Sequence, residues 1–349
     1  MGHSVYLNPR GLVWGAVAQG SAREGAAGLI AGGGTGFTAC EVIEREGGRV
    51  GRRWLGYAAL KESRELAELV SRIEAPRPAI PGIDMTRPCI MGVINVTPDS
   101  FSDGGQNPDP DSAIAHGRAL AAEGADVLDV GGESTRPYAE PLALADERAR
   151  ALPVVEALAG DGHVVSIDTR KPAMMREAVA AGAVIVNDVS ALTHDRDSLA
   201  AVRDLDVPVI LMHSQGDPTV MQVAPQYEDV VLDVFDALAE RIAACEAAGI
   251  ARARILADPG LGFGKTVEHN WALLGNLTLL HGLGVALVVG ASRKSFIGKA
   301  TGEKVAGRRV FGSIGAGIAI VMQGVQVVRV HDVVETRDAV AVWRAAMAG

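Results

Sequence analysis

Between Cys89 and Met347, eight short Val/Ile-rich runs alternate with eight longer Ala-rich helical patterns. This predicts an α/β chain folded as a (β/α)8 TIM barrel. Two further observations support that class. Each apolar run empties into polar residues, as the strands of a parallel α/β protein do at the end that carries chemistry. A doubly wound sheet, the competing architecture, usually shows a glycine fingerprint at its first turn, and none is present here.

Residues 1–80 lack this alternation and read as a small N-terminal α+β extension. Its 24–37 stretch is glycine-rich, but Ala39 stands where G-x-G-x-x-G needs its third glycine, and no Lys-Ser/Thr follows. A turn between short strands is expected there rather than a nucleotide site. Residues 58–73 predict one helix, with Leu60, Leu66, Leu69, Val70 and Ile73 on one side. The Pro-rich connector 75–82 cannot hold a helix and places a boundary near residue 80, dividing the chain into 1–80 and 81–349.

The eight runs are 90–94, 127–130, 164–167, 184–186, 207–211, 254–257, 285–289 and 325–330. The helices between and after them are 111–123, 143–158, 171–181, 197–205, 230–248, 267–280, 311–323 and 335–347. The third carries Pro172 near its start and Gly182 just past its end, where helix termini favour them.

Composition narrows the function. The 349 residues are 48% hydrophobic but only 4% aromatic, which suits small-residue helices on Val/Ile strands. A net charge of −9 gives no basic face for nucleic acid, so an anionic ligand needs a local Arg/Lys cluster. Cys40, Cys89 and Cys245 have no metal or CxxC spacing and read as buried reduced thiols. No apolar run approaches the roughly 20 residues of a membrane span, and no signal layout opens the chain. A cytoplasmic protein without membrane or nucleic-acid partners is expected.

The residues just past the runs are the candidates for chemistry: Asn95; Glu133 to Arg136; Asp168 to Arg170; Asn187 and Asp188; His213; Asp258; Ser292 to Lys294; Arg329 and His331. Asp188, Thr169 and Asp332 can each be explained as helix caps. Asp168, Asn187 and Asp258, with Lys294 nearby, offer the carboxylates and amide that pair with a flat, nitrogen-rich heterocycle. Arg329 and His331, with Asn95, Arg136 and Arg293, form the local cluster suited to a phosphate or diphosphate. The stretch Gly260-Leu-Gly-Phe-Gly-Lys-Thr ends like a phosphate loop, but Pro259 replaces its first glycine. It is expected to carry Phe263 over the barrel mouth instead.

Taken together, Ile90 to Gly105, Asp129-Val-Gly-Gly-Glu-Ser-Thr-Arg-Pro, Ser166-Ile-Asp-Thr, Asn187-Asp-Val, Met212-His, Asp258-Pro-Gly-Leu-Gly-Phe-Gly-Lys, Ser292-Arg-Lys-Ser and Arg329-Val-His-Asp resemble the bacterial dihydropteroate synthases. The resemblance covers about residues 88–349. It implies a transferase that joins 7,8-dihydropterin-6-ylmethyl diphosphate to 4-aminobenzoate, giving dihydropteroate and diphosphate for folate synthesis. It further implies that Asp168, Asn187, Asp258 and Lys294 bind the pterin, while Asn95, Arg329 and His331 bind the diphosphate, Asn95 with Mg2+. Thr135, Arg136 and Pro137, with Ser292, Phe263 and Phe101, would shape the aminobenzoate pocket, where sulfonamides compete. Asp168, Lys294, Arg329 and His331 are the implied catalytic residues, the stretches 99–104 and 134–137 the implied closing loops, and a homodimer the implied assembly.

Three positions depart from the commonest family pattern: Tyr138 where Gly is usual, Ser214 where Met is frequent, and Leu261 in place of Phe. Two other readings share part of the pattern. A methyltetrahydrofolate:corrinoid methyltransferase-like pterin barrel needs neither Ser292-Arg-Lys-Ser nor the diphosphate loop. A non-catalytic pterin-binding paralogue would have lost some phosphate or loop residues.

Overall fold

The sequence-periodic part of the chain closes on itself. In the computed structural model, which describes residues 3–96, 109–133, 141–216 and 225–348, eight parallel strands form a closed barrel. Ahead of it stand β1 (Ser4–Trp14), α1 (Gly15–Arg23), β2 (Gly28–Leu29), β3 (Thr35–Glu46), β4 (Arg49–Gly56), α2 (Tyr57–Glu62) and α3 (Ala67–Glu74). The barrel half runs β5 (Cys89–Asn95), α4 (Pro110–Glu123), β6 (Val127–Gly131), α5 (Leu144–Gly160), β7 (Val165–Asp168), α6 (Pro172–Ala180), β8 (Ile185–Asp188) and α7 (Ser198–Leu205). It continues with β9 (Val209–Met212), α8 (Val230–Ala247), β10 (Ile255–Asp258), α9 (Val267–Leu274), α10 (Leu277–Leu280), β11 (Ala286–Val289), α11 (Ser295–Thr301), α12 (Val310–Met322), β12 (Val327–Val330) and α13 (Val333–Ala348). Strands β5 to β12 pair in chain order, and β12 closes on β5.

Alternation along each strand sorts the residues into two cores. Leu128 and Val130, Val165 and Ile167, and Val209 and Leu211 point outward into the large core under the helices. Met91, Val127, Ile185, Ile210, Leu256, Val288 and Val327 point inward and fill the lower barrel. Ile80 of the connector and Ile83 just after it plug the floor of that interior cluster. Above it the inward positions turn polar, with Asp129 and Ser166 side by side in register and Asp168 beside Asn187. The apolar floor closes one end, so water and ligands reach the polar layer only from the other.

The extension has its own core. Leu7, Phe37, Cys40 and Val42 of the antiparallel sheet pack against Tyr57, Leu60, Leu66, Val70 and Ile73 of α2 and α3. The single helix expected over 58–73 is two helices, because Ser63 leaves helical geometry with ψ 107°. This break allows both Leu60 and Leu66 to reach the sheet, where both are fully buried. The helix expected over 267–280 is likewise split: Asn276 leaves the helix (φ −135°), its side-chain carbonyl accepting from Asn8 (3.0 Å) and Arg10. Helix α11 had no counterpart among the expected elements; at seven residues it is too short to show a period.

The extension docks on the outside of the barrel helices. Tyr6 donates its hydroxyl to Asp236 at 2.9 Å and stacks edge-on against Phe235, and Arg45 pairs with Asp233 at 2.6 Å. Asn8, 1% exposed, donates to Asn276 at 3.0 Å and accepts from Thr278 at 2.8 Å. Asn8→Ala strands the Thr278 hydroxyl in a dry interface. It should lower stability by about 1–3 kcal/mol, seen as a shift of the urea midpoint, and an unchanged midpoint would refute this account of the docking.

Candidate active site

Four of the expected polar residues stand at the upper ends of β5, β7, β8 and β10, at the open end of the barrel. Asn95 ends β5 and pairs in register with Gly131, which pairs with Asp168, which pairs with Asn187. Gly131 has no side chain, so the space between Asn95 and Asp168 stays open. Asp258 ends β10 beside Met212. Each position follows from strand parity, because Asn95, Asp168, Asn187 and Asp258 continue the inward rows begun by Met91, Ser166, Ile185 and Leu256.

Arg329 enters this layer from β12 and is shared by two carboxylates. Its Nε donates to Asp129 Oδ2 at 2.6 Å and its Nη2 to Asp168 Oδ2 at 3.0 Å. Asn187 Nδ2 donates to the same Asp129 oxygen at 3.1 Å. Asp129 is thus the hub that aims Arg329 and Asn187, although it lies mid-strand and was not among the strand-end candidates. A carboxylate in an otherwise Val/Leu run was the signal that could have found it. Three polar atoms in this layer are buried without a partner: Asp129 Oδ1, Ser166 Oγ and Asp168 Oδ1. Acceptors held in this way suit a ligand that brings several N–H donors.

Burial and charge tune the groups. Burial, reinforced by Asp129, pushes the Asp168 carboxyl up, and Arg329 opposes this. Burial also raises Asp258, against Lys294 and the Gly260 amide, which donates to its Oδ1 at 2.7 Å. Burial lowers Lys294 to about 8, with Asp258 holding it up. The Lys294 ammonium donates to the Leu261 carbonyl and stands 4.8 Å from the Phe263 ring centre, a cation–π arrangement. For Arg329, burial acts downward, but Asp129 and Asp168 outweigh it and raise the guanidinium.

The remaining strand ends divide their roles. His331 Nδ1 lies 3.0 Å from Ser292 Oγ, which also accepts from the His331 amide at 3.2 Å. Arg293, expected in the phosphate cluster, pairs with Asp332, which is therefore an ion-pair partner rather than only a cap. Asp188 accepts from the Ser190 and Leu192 amides, a local turn-binding role. Thr169 instead donates to the fully buried Glu147. Glu133 accepts from Lys171 at 2.8 Å, Arg170 at 3.1 Å and the Leu142 amide at 3.0 Å. Phe101, Thr135, Arg136, Pro137 and Tyr138 lie outside the described residues, as do Thr97 to Gly105.

The stretch Gly260-Leu-Gly-Phe-Gly-Lys-Thr proves to be a clamp on its own backbone. Lys265 Nζ, 3% exposed as a residue, donates to the Gly260 and Phe263 carbonyls at 2.9 Å and faces His213 Nδ1 at 3.0 Å. Burial drives His213 down to about 3, so its neutral ring accepts from the lysine. Gly260 has φ +64°, and a Cβ there would lie 2.0 Å from the His213 carbonyl oxygen, so only glycine fits.

The pterin binding enzyme family matches residues 91–331 of this chain. A dihydropteroate synthase of Neisseria meningitidis serogroup B is 48% identical over 268 residues, spanning 75% of this chain and 94% of that protein. The chain belongs to the dihydropteroate synthase family. Two solved structures from Xanthomonas albilineans agree with this. The dihydropteroate synthase with 4-aminobenzoic acid superposes with a TM-score of 0.73 at 49% identity, over 76% of this chain and 96% of that one. The complex with 7,8-dihydropteroate gives 0.71 at 46% identity, over 78% and 100%. Family membership therefore covers the barrel, and the extension falls outside most of the matched span.

Two outcomes test the site. Asp129→Ala leaves Arg329 with one carboxylate and Asn187 without its acceptor, so stability should fall by about 3 kcal/mol together with pterin affinity. Full stability in denaturant titration would sink the hub assignment. The folded protein holds Lys294 at about 8 against an ordinary value of 10.5. Between these values the unfolded chain binds more protons, so wild type should gain stability relative to Lys294→Met as pH rises through that window. Parallel stability curves would contradict the burial of a charged Lys294.

Proposed function

We propose that the barrel mouth carries out its family's reaction through the residues assembled there. Members of this family are transferases of folate synthesis that join 7,8-dihydropterin-6-ylmethyl diphosphate to 4-aminobenzoate, giving dihydropteroate and diphosphate, and the chain's identity to them supports the same activity here. The observation that carries the residue assignment is the buried, unpartnered Asp168 Oδ1 beside Asn187, with Asp258 on the same inward-facing layer, in a barrel with one open end. The 2-amino and ring N–H groups of a pterin supply the donors these oxygens lack.

In this reading the C–O bond between the pterin methylene and diphosphate breaks, the leaving group keeping the electron pair. The arylamine nitrogen forms the new C–N bond and loses a proton. A delocalised pterin cation makes an enzyme nucleophile unnecessary. Asp168 stabilises the positive charge developing on the ring, and Arg329 and His331 stabilise the negative charge leaving. Arg329 Nη1, the nitrogen not engaged by Asp129 or Asp168, is the donor available to phosphate. Lys294 and Phe263 wall the pterin side. Ser292, through its bond to His331, links the phosphate and aminobenzoate subsites, which Phe101, Thr135, Arg136 and Pro137 would complete.

Among the described residues no group of three His, Cys, Asp or Glu side chains could hold a metal. Asn95 brings a single amide oxygen, which fits Mg2+ carried mainly by substrate phosphates and water. When bound, Mg2+ would neutralise charge on the diphosphate, and Asn95 would hold it at the end of β5.

We also propose residues 81–349 as the catalytic unit and 1–80 as an extension, since β1 to α3 close a core of their own. A cytoplasmic enzyme is supported by three buried free cysteines, and a homodimer by Phe311 on α12, 90% exposed.

Supplied with dihydropterin diphosphate, 4-aminobenzoate and Mg2+, the protein should release pyrophosphate only when 4-aminobenzoate is present. Pterin binding without release would favour a non-catalytic paralogue, and methyl transfer from methyltetrahydrofolate would favour the corrinoid-type barrel. Lys294→Ala should lower turnover by about 100-fold or more while leaving the thermal midpoint nearly unchanged. Arg329→Ala should lower turnover at least as much, accompanied by a loss of stability because Asp129 and Asp168 lose their cation. Variants that melt early but keep full specific activity when folded would overturn their assignment.

A further inference from the structure

Where the extension meets the base of the barrel there is a cavity of about 670 Å³, a volume typical of small-molecule sites. Its walls are the glycine-rich stretch 30–35, the connector from Pro76 to Pro88, the entry to β12 and the face of α13 carrying Trp343. It lies at the plugged end: Ile83 lines it and also packs on Met91 and Val127 in the barrel floor. It is therefore separate from the mouth that carries the pterin-binding layer.

Arg77 in its wall is 9% exposed and pairs with no carboxylate among the described residues. Its Nη1 donates to the Arg72 and Ala75 carbonyls at 2.9 Å, and its Nη2 to the His281 carbonyl at 3.1 Å. Of five guanidinium donors this leaves Nε–H, buried without an acceptor, and one N–H of Nη2. Those two nitrogens offer a carboxylate a side-on, two-point contact. Burial, with Arg252 as the neighbouring charge, pulls Arg77 down to about 10, the direction expected of a cation without a counter-ion. Trp343 Nε1, in the same wall, is also buried without an acceptor.

The other charges of the wall are accounted for. Arg87 pairs with Asp126 and Asp84, and Arg344 lies near Asp84. One uncompensated cation in the wall favours a monoanion over a doubly charged phosphate. Ile30, Ile83, Val325 and Met347 require an apolar body behind that anion. Gly34 lies in the same wall, a Cβ there meets nothing within 4 Å and its backbone is outside the left-handed region, so a larger side chain can be introduced there without strain.

We infer that this cavity is a second ligand site, taking a small aromatic monocarboxylate whose carboxylate meets Arg77 and whose ring lies between the glycine-rich stretch and Trp343. The test is calorimetric titration of 2-naphthoate into the full chain, with 6-hydroxymethylpterin and sulfanilamide, neither of which carries a carboxylate, in excess to occupy the mouth. One molecule should bind per chain. Arg77→Met should weaken binding by about tenfold or more. Gly34→Leu, whose side chain enters open space, should abolish it while leaving turnover unchanged, and it keeps the test valid should Arg77→Met fail to fold. Inorganic phosphate should not compete. No binding at millimolar 2-naphthoate, equal binding by wild type and both variants, or displacement by phosphate would each overturn the inference.

Discussion

The mouth of the barrel depends on one arrangement of charge, the guanidinium of Arg329 held between Asp129 and Asp168. Taking ions out of water is unfavourable, and a buried ion pair by itself is weak evidence of stability. Asp129 is fully buried and carries an oxygen with no partner, so the triad is not the cheapest way to fill a barrel. Its value is positional. Asp129 aims both Arg329 and Asn187, Arg329 steadies Asp168, and the row from Asn95 to Asn187 takes its spacing from that brace. Lys294 and Asp258 complete a layer of three carboxylates and two cations, which leaves acceptors open towards the mouth.

That layer is dry on one side because the lower barrel is apolar and the connector stops its end. The polar groups therefore sit in a low-dielectric cup with one opening, where each interaction with a departing or developing charge is strengthened. The Gly260–Thr266 stretch shows the same logic in the backbone. Lys265 binds carbonyls of its own loop and His213, so a motif that ends like a phosphate loop becomes a rigid wall carrying Leu261 and Phe263 to Lys294. The extension attaches far from this chemistry, through Tyr6, Asn8 and Arg45 on the outer helices, and shapes the opposite end of the molecule.

Much of this was legible beforehand, and the failures share a cause. Strand ends were readable because an apolar run that stops at Asn95, Asp168 or Asp258 changes polarity abruptly. Asp129 was passed over because it lies within its run and only closure of the barrel brings Arg329, 200 positions later, against it. The helix expected over 58–73 broke at Ser63 because two leucines had to reach one sheet, and the one over 267–280 broke where Asn276 bonds Asn8 and Arg10. The expected cluster of free cations failed in part, as Arg293 is neutralised by Asp332. Local periodicity records which residues are buried. It does not record which distant partner will bend an element or quench a charge.

The sequence by itself determined the eight-fold alternation, the polar residues Asn95, Asp168, Asn187, Asp258 and Arg329 at the ends of the apolar runs, and the motifs that place the chain in its family. These are properties of residues close along the chain, where a period of two or 3.6 fixes which side chains share a face. Only the tertiary structure decided that Asp129 is the hub, that Lys265 is a clamp, that the connector plugs the floor, and that the glycine-rich stretch opens onto a cavity with an unpaired arginine. Each of those depends on groups far apart in the chain meeting in a low-dielectric space, and their charges and hydrogen bonds are settled only when the barrel closes.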